Sequence, residues 1–313
     1  MVRFADKEDL SFLKHAWKVC FDDPQSFIDW NFANNFSYAD TLIAECDGAP
    51  ASNLQLMPHR ISLRGREYAV NYVSGVATLP QFRKRGLVRE LFAFSFPEMK
   101  KRHQPISLLV PFNYEFYEKF GYRQCYEKVF RYADILPEGE CVTTLSPALI
   151  DALDGIYRRE MQHHAGYALR TKNDWHKILE DLLLLSHGQV WLSQEGYALI
   201  TPRNEGGFEA HEVLGSCPIA FREETKPFAM ARIVDAMEVL NSLAPEFLMP
   251  VRLRIRDEQI LQNNLTVSIA NGAVTPCEGF DIDLDIKDLA AVLFGFQEST
   301  YLSPQSTYLN MIF

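Results

Sequence analysis

Two stretches limit what the first half of this chain can become. TLIAECDGAPASNLQLMP (41–58) and HRISLRGREYAV (59–70) each read as two strands joined at a dipeptide, Asp47-Gly48 and then Arg64-Gly65. Such dipeptides suit two-residue hairpins, whose turn residues adopt the left-handed backbone that strand twist requires. NYVSGVATL (71–79) supplies a further strand, so an antiparallel meander is expected. Ahead of it, DKEDLSFLKHAWKVCF sets Leu10, Leu13, Ala16 and Val19 on one helical stripe. Behind it, a helix should start near Gly86 and be kinked or ended by Pro97. ISLLV (106–110) suits a buried strand, NYEFYEKFGY a short helix closed by Gly121, and RQCYEKVFRYA another strand. A meander that runs into a β–α–β–α–β unit predicts an α+β protein, with a mixed central sheet and helices on its faces.

At 313 residues the chain is long enough for two or three domains. ILPEGE (135–140) reads as a linker, which places a first domain at 1–137. Within 138–226, LSPALIDALDGIYRREMQHH and NDWHKILEDLLLL read as helices, with Ser146-Pro147 and Asn173 or Asp174 as start signals. QVWLSQEGYALITP and GFEAHEVLG follow as strands. This block resembles the first half of a domain like the preceding one and reads as structural. In 227–313, ARIVDAMEVLNSL reads as a helix, VRLRIRD and NLTVSIANGAV as strands, and FDIDLDIKDLAAVLFG as a strand running into a helix. Asp281, Asp283 and Asp285 alternate along that strand, which puts them on its exposed face rather than around a metal.

The formal charge of −10 argues against nucleic acid as a partner. The N-terminal MVRFADKEDL lacks the apolar core of a signal peptide, and no 18 apolar residues run together, so no membrane span is expected. Six scattered cysteines without a CxxC fit free thiols in a reducing cytoplasm. His163 and His164 are adjacent and have no carboxylate at ligand spacing, so no metal is expected.

Against that acidic background, VATLPQFRKRGLVREL (76–91) gathers Arg83, Lys84, Arg85 and Arg89 where a strand gives way to a helix. A solvated helix face is one explanation. An anion site is the other. The first N–H groups of a helix lack intrahelical acceptors and carry the positive end of its dipole, ready donors for a diphosphate. Gly86 adds no side chain to hold a phosphate away from the backbone. Arg85 and Arg89, four apart, would share one helix face.

The same stretch resembles the acetyl-CoA-binding signature R/Q-x-x-G-x-G/A of the GNAT superfamily of N-acetyltransferases. Arg83, Arg85 and Gly86 fit it, and Val88 stands where many members have glycine or alanine. Together with PF…FYEKFGY, the arginine-rich–glycine–leucine turn is similar to the Eis-like (enhanced intracellular survival) branch. That resemblance implies an acetyltransferase domain, a degenerate second one, a C-terminal domain like sterol carrier protein, and a homo-oligomer, hexameric in that branch. It also implies that the backbone of Val76, Ala77 and Thr78 pairs with the pantetheine amides of acetyl-CoA. Lys84, Arg85, Gly86, Leu87, Val88 and Arg89 would hold the diphosphate, while Phe112 and Asn113 flank the gap that admits the thioester.

Acetylation of an amine needs a proton for the departing thiolate. A tyrosine with pKa about 10 keeps its proton at neutral pH and can donate it to a sulfur whose thiol pKa is about 8.5. Tyr117 matches the family's general acid, with Tyr114 and Tyr122 beside it. The resemblance assigns the base to the terminal carboxylate, here that of Phe313 in the apolar tail TYLNMIF, acting directly or through water. Phe21, Asp22, Asp23 and Trp30 fall where the family builds an acidic, aromatic wall for cationic amines, although Asp22 and Asp23 also suit the cap of a helix starting near Pro24. The expected activity is acetyl-CoA-dependent acetylation of polyamine-like, aminoglycoside or lysyl amines. The alternatives are transfer of another acyl group, or a degenerate transferase that binds an apolar ligand.

Overall fold

The computed structural model describes residues 1–136 and 141–310, and forms two compact units. The first joins 1–125 to 229–305; the second joins 126–228 to the described residues from Ser306 onward.

In the first unit, β1 (Val2–Phe4), β2 (Thr41–Cys46), β3 (Ala49–Leu63) and β4 (Arg66–Thr78) form the expected antiparallel meander. Its turns work as the dipeptides suggest: φ is +55° and +80° at Asp47-Gly48, and +49° and +72° at Arg64-Gly65. β5 (Ile106–Leu109) then joins β4 in parallel. Beyond β5 lie the Met230–Ile233 strand and β6 (Arg123–Gln124). ARIVD therefore begins in a strand, and the helix expected there starts at Ala236. The strand is buried along its whole length, so its residues carry no period-2 alternation by which to tell it from a buried helix.

The sheet buries both faces. On one, Leu42, Leu54, Leu56, Val73 and Leu109 pack with Leu91, Phe92 and Phe96 of α3 (Leu87–Lys101). On the other, Ile43 packs with Leu13 and Trp17 of α1 (Leu10–Phe21), and with Ile28 and Phe32 of α2 (Gln25–Asn34). Burial of each such side chain is worth about 1.5–3 kcal/mol. Pro97 does not end α3, which continues to Lys101. Phe96 and Met99 are buried on either side of it, so packing outweighs the lost backbone bond.

The same unit carries a smaller sheet, ordered Ala273–Pro276, Leu265–Ala270, Val251–Arg256, Ile282–Asp285. Asp281 and Asp283 pair there with Arg252 and Arg256 at 2.6 and 2.8 Å, and Asp285 caps the helix Ile286–Phe294.

In the second unit an antiparallel sheet runs Arg222–Pro227, Glu127–Ala133, Phe208–Gly215, Gly196–Pro202, Gln189–Leu192, Cys141–Val142. The single strand expected over RQCYEKVFRYA is thus two, separated at Cys125-Tyr126. Ser146 caps the helix Pro147–Met161 as expected, but the next helix starts earlier than expected. Thr171 is its cap, in a reciprocal capping box with Asp174. Inside the unit Arg170 and Glu212 form a buried ion pair, and Arg170 also donates to the Asn310 carbonyl at 2.9 Å. No described helix is long and apolar enough to cross a membrane.

Candidate active site at the open edge of β4

β4 has partners on both sides only as far as Tyr72. Its pairing with β5 covers Val70–Ile106, Asn71–Ser107 and Tyr72–Leu108, whereas its pairing with β3 continues to Thr78. Among the described residues, one edge of the strand from Val73 to Thr78 therefore has no neighbouring strand. A bulge accompanies this separation: Asn53 faces Ala77 while Gln55 faces Ser74, so β4 carries one extra residue. Gly75 lies in it at φ +57°, and a Cβ there would stand 3.0 Å from the Trp17 ring. Asn53 donates to the Gly75 carbonyl at 2.6 Å and Ser52 to that of Ala77 at 2.7 Å, fixing the bulge from the β3 side. An exposed row of strand amides and carbonyls can pair with an extended ligand. Val76, Ala77 and Thr78 stand on that edge.

The strand leads into a tight turn. Pro80–Phe82 form a 3-10 turn, and Arg83 Nε donates back to the Thr78 carbonyl at 3.1 Å. Lys84 adopts φ +64°, and Gly86, at φ +83°, precedes α3 with no side-chain cap. The first N–H groups of α3, at Leu87, Val88 and Arg89, thus have neither intrahelical acceptors nor a cap. Nothing stands within 4 Å of where a Cβ of Gly86 would lie. Arg85 precedes the helix, so it does not share a helical face with Arg89. It pairs instead with Asp47 at 2.9 Å, approaches Cys46 Sγ at 3.2 Å, and lies over the Phe82 ring. Lys84 and Arg89 are exposed, and neither forms an ion pair among the described residues.

On the far side of the gap, Asn113 caps α4 (Tyr114–Glu118) by accepting from the Phe116 N–H at 2.8 Å. Phe112 is 75% exposed and lies edge-on to Tyr117, with ring centres 5.6 Å apart. Tyr117 itself is buried among Phe92, Phe116 and Tyr122, in the same cluster as Val73 and Leu109. Burial, with the Tyr72 hydroxyl nearby, pushes its own hydroxyl well above the usual tyrosine range. Tyr114 is half-buried, and Tyr122 shares a 2.7 Å hydrogen bond with Ser107 in the core.

Gly121 ends this segment at φ +82°, and a Cβ there would fall 2.1 Å from Arg232 Nη1. A side-chain tip normally yields cheaply. This one is fully buried, paired with Asp257 at 2.8 Å and set over the Phe96 ring at 4.8 Å. Gly121→Ala should therefore cost about 2–4 kcal/mol, from the left-handed backbone and the displaced ion pair together. Urea unfolding measures it, and a loss below about 1 kcal/mol would show that Arg232 moves freely.

The acidic, aromatic stretch lies against the opposite face of the sheet. Neither aspartate caps α2, whose N-cap position is Pro24. Asp22 closes α1 in a left-handed conformation and pairs with Lys18 at 3.2 Å. Asp23 accepts from the Trp17 indole at 2.8 Å, holding the ring that touches the Gly75 bulge. Phe21 lies tilted against Trp17 with ring centres 4.9 Å apart, and Trp30 lies 6.1 Å from Phe27. Phe313 lies outside the described residues. Among those described, no group of three or more His, Cys, Asp or Glu is placed to hold a metal.

Residues 1–125 match the family model "Acetyltransferase (GNAT) domain". No curated protein matches the chain. Among solved structures, a probable N-acyltransferase of unknown function from Enterococcus faecalis superposes with a TM-score of 0.82 at 17% identity, covering 100% of this chain and 99% of its own. A GCN5-related N-acetyltransferase from Anabaena variabilis gives 0.80 at 17%, and Eis1 from Mycobacterium abscessus 0.79 at 14%, each with both chains fully covered. At these identities the likeness is one of fold.

Proposed function

With residues 1–125 a GNAT acetyltransferase domain, we propose that the protein is an Eis-like N-acetyltransferase that moves acetyl from acetyl-CoA to a primary amine of a polyamine, an aminoglycoside or a lysine side chain. The carrying observation is the one-sided edge of β4, which runs into an uncapped helix start beside a buried tyrosine. The pantetheine arm lies along Val76–Thr78. The diphosphate takes the N–H groups of Leu87, Val88 and Arg89, with Lys84 and Arg89 as counter-charges and Arg85 released from Asp47 to join them. The acetyl group then enters the gap between β4 and β5, flanked by Phe112 and Asn113.

The neutral amine attacks the carbonyl carbon; its N–C bond forms as the C–S bond breaks. Tyr117 O–H gives its proton to the departing sulfur, and the carboxylate of Phe313 takes the proton shed by the ammonium. The resemblance supports that carboxylate, the sterol-carrier-like character of the C-terminal segment, and a hexamer. The wall of Phe21, Asp22, Asp23 and Trp30 would attract the cationic acceptor.

Isothermal titration with acetyl-CoA, followed by thiol release over an amine panel, tests this reading. Absence of acetyl-CoA binding would overturn it, and preference for a longer acyl-CoA would reassign the donor. Lys84→Ala and Arg89→Ala should each weaken acetyl-CoA about fivefold at low salt, and less as salt rises.

A further inference from the structure

The faces of the sheet divide the site in a way that points to its acceptor side. Cofactor groups share one face: α3, whose start receives the diphosphate, packs there with Val73, Leu109 and Tyr117. Strand residues alternate between faces, so Tyr72 and Ser74 point to the other, opposite Met57 and Gln55 of β3. That second face is the one on which α1 and α2 lie, with Trp17, its partner Asp23, and Phe21.

Tyr72 occupies a singular position on that face. It is the last residue of β4 paired with β5, at the point where the gap opens. Its ring lies edge-on to His59 at 6.2 Å, and its hydroxyl lies near the backbone of Val110, the first residue beyond β5. The side chain thus reaches across the mouth of the gap from one strand to the other. One more observation marks the face as built for a polar occupant: among the described residues Gln55 Nε2 is buried without a hydrogen-bond partner, 3.3 Å from where a Cβ of Gly75 would stand.

We propose that Tyr72 positions the acceptor amine, a role that rests on the transferase reading above. With the thioester held from the Tyr117 face, the nucleophile must arrive from the Tyr72 face. A phenolic oxygen carries two lone pairs. It accepts one N–H of the neutral amine and so turns the nitrogen lone pair toward the carbonyl carbon. Two tyrosines then divide the reaction between the faces: Tyr117 serves the leaving sulfur and Tyr72 the incoming nitrogen.

Tyr72→Phe keeps the ring and removes only the hydroxyl. With spermidine as acceptor, KM for the amine should rise about tenfold and kcat should fall, while the acetyl-CoA Kd stays unchanged. The unchanged Kd also reports an intact fold. Turnover with both constants at the unaltered protein's values would overturn the assignment and leave the transferase reading standing. A variant that loses acetyl-CoA affinity would also overturn it, placing Tyr72 on the donor side. Absence of acetyl-CoA binding and turnover in the unaltered protein would overturn both.

Discussion

Tyr117→Phe should lower kcat by about 10²–10³ and leave the acetyl-CoA Kd within about twofold. The ring is what packs against Phe92, Phe112, Phe116 and Tyr122, and phenylalanine retains it. On the proposed mechanism only the donor to the sulfur is lost, an interaction made as the C–S bond breaks. A fall in acetyl-CoA affinity of the same size as the fall in kcat would instead make Tyr117 part of the cofactor's bed. The pH dependence sharpens the test. Burial first, and the neighbouring Tyr72 second, raise the Tyr117 hydroxyl above its usual value, so it keeps its proton beyond pH 10 and, with Tyr117 as the proposed acid, the alkaline limb of kcat should not fall before then. Stability falls in the same direction through a second tyrosine. Burial pushes Tyr72 up to about 12, while an unfolded tyrosine ionises near about 10. Its stabilising contribution is therefore complete below pH 10 and is lost as pH rises toward 12. Alkaline unfolding followed by tyrosinate absorbance would show that loss.

What the sequence made legible follows the range of the forces involved. The two hairpins could be read because each is decided by two adjacent residues: Asp47-Gly48 and Arg64-Gly65 take positive φ in both positions. The start of α3 was legible for the same reason, since Gly86 and Lys84 carry the backbone through the turn. The strand Met230–Ile233 was not. Its place beside β5 depends on residues more than a hundred positions away, and its continuous burial erases the alternation that marks a half-exposed strand. Pro97 marks a helix end by its local cost alone, and the buried Phe96 and Met99 around it outweigh that cost. In the site, Arg85 shows the same limit: its partner Asp47 sits at the tip of the β2–β3 hairpin, 38 residues away in sequence. Asp23, placed by sequence in an acceptor wall or a helix cap, holds Trp17 against the bulge. Nothing in the sequence singles out Tyr72 or Gln55, because only the register shows that β4 loses its β5 neighbour directly after Tyr72.

Glu212→Gln should destabilise the second unit by about 3–5 kcal/mol, the largest stability effect expected from one substitution here. The carboxylate accepts both Arg170 nitrogens at 2.7 and 2.9 Å, the Tyr197 hydroxyl at 2.9 Å and the Tyr308 hydroxyl at 2.8 Å. Neither charged side chain is more than 1% exposed. Arg170 lies 4.2 Å from the Tyr157 ring centre and 4.6 Å from that of Trp175, in the middle of the unit's apolar core. Glutamine keeps the volume but leaves a cation in that core without a counter-charge. The double variant Arg170→Met/Glu212→Leu should lose much less, because it removes the desolvation cost together with the attraction. The same pair ties down residues 306–310: Tyr308 donates to Glu212, Arg170 to the Asn310 carbonyl, and Asn310 Nδ2 to the His211 carbonyl at 2.9 Å. Amide hydrogen exchange over 306–310 should therefore accelerate in Glu212→Gln along with exchange in the Phe208–Gly215 strand. Burial alone would push the Glu212 carboxyl up, but the Arg170 charge and the converging hydrogen bonds hold it below the usual range. Its contribution is thus present above the unfolded value of about 4.3 and lost as pH falls through the lower folded value. Acid should unfold the second unit of the unaltered protein more steeply than that of the double variant, and equal acid sensitivity would mean that the pair contributes nothing to stability.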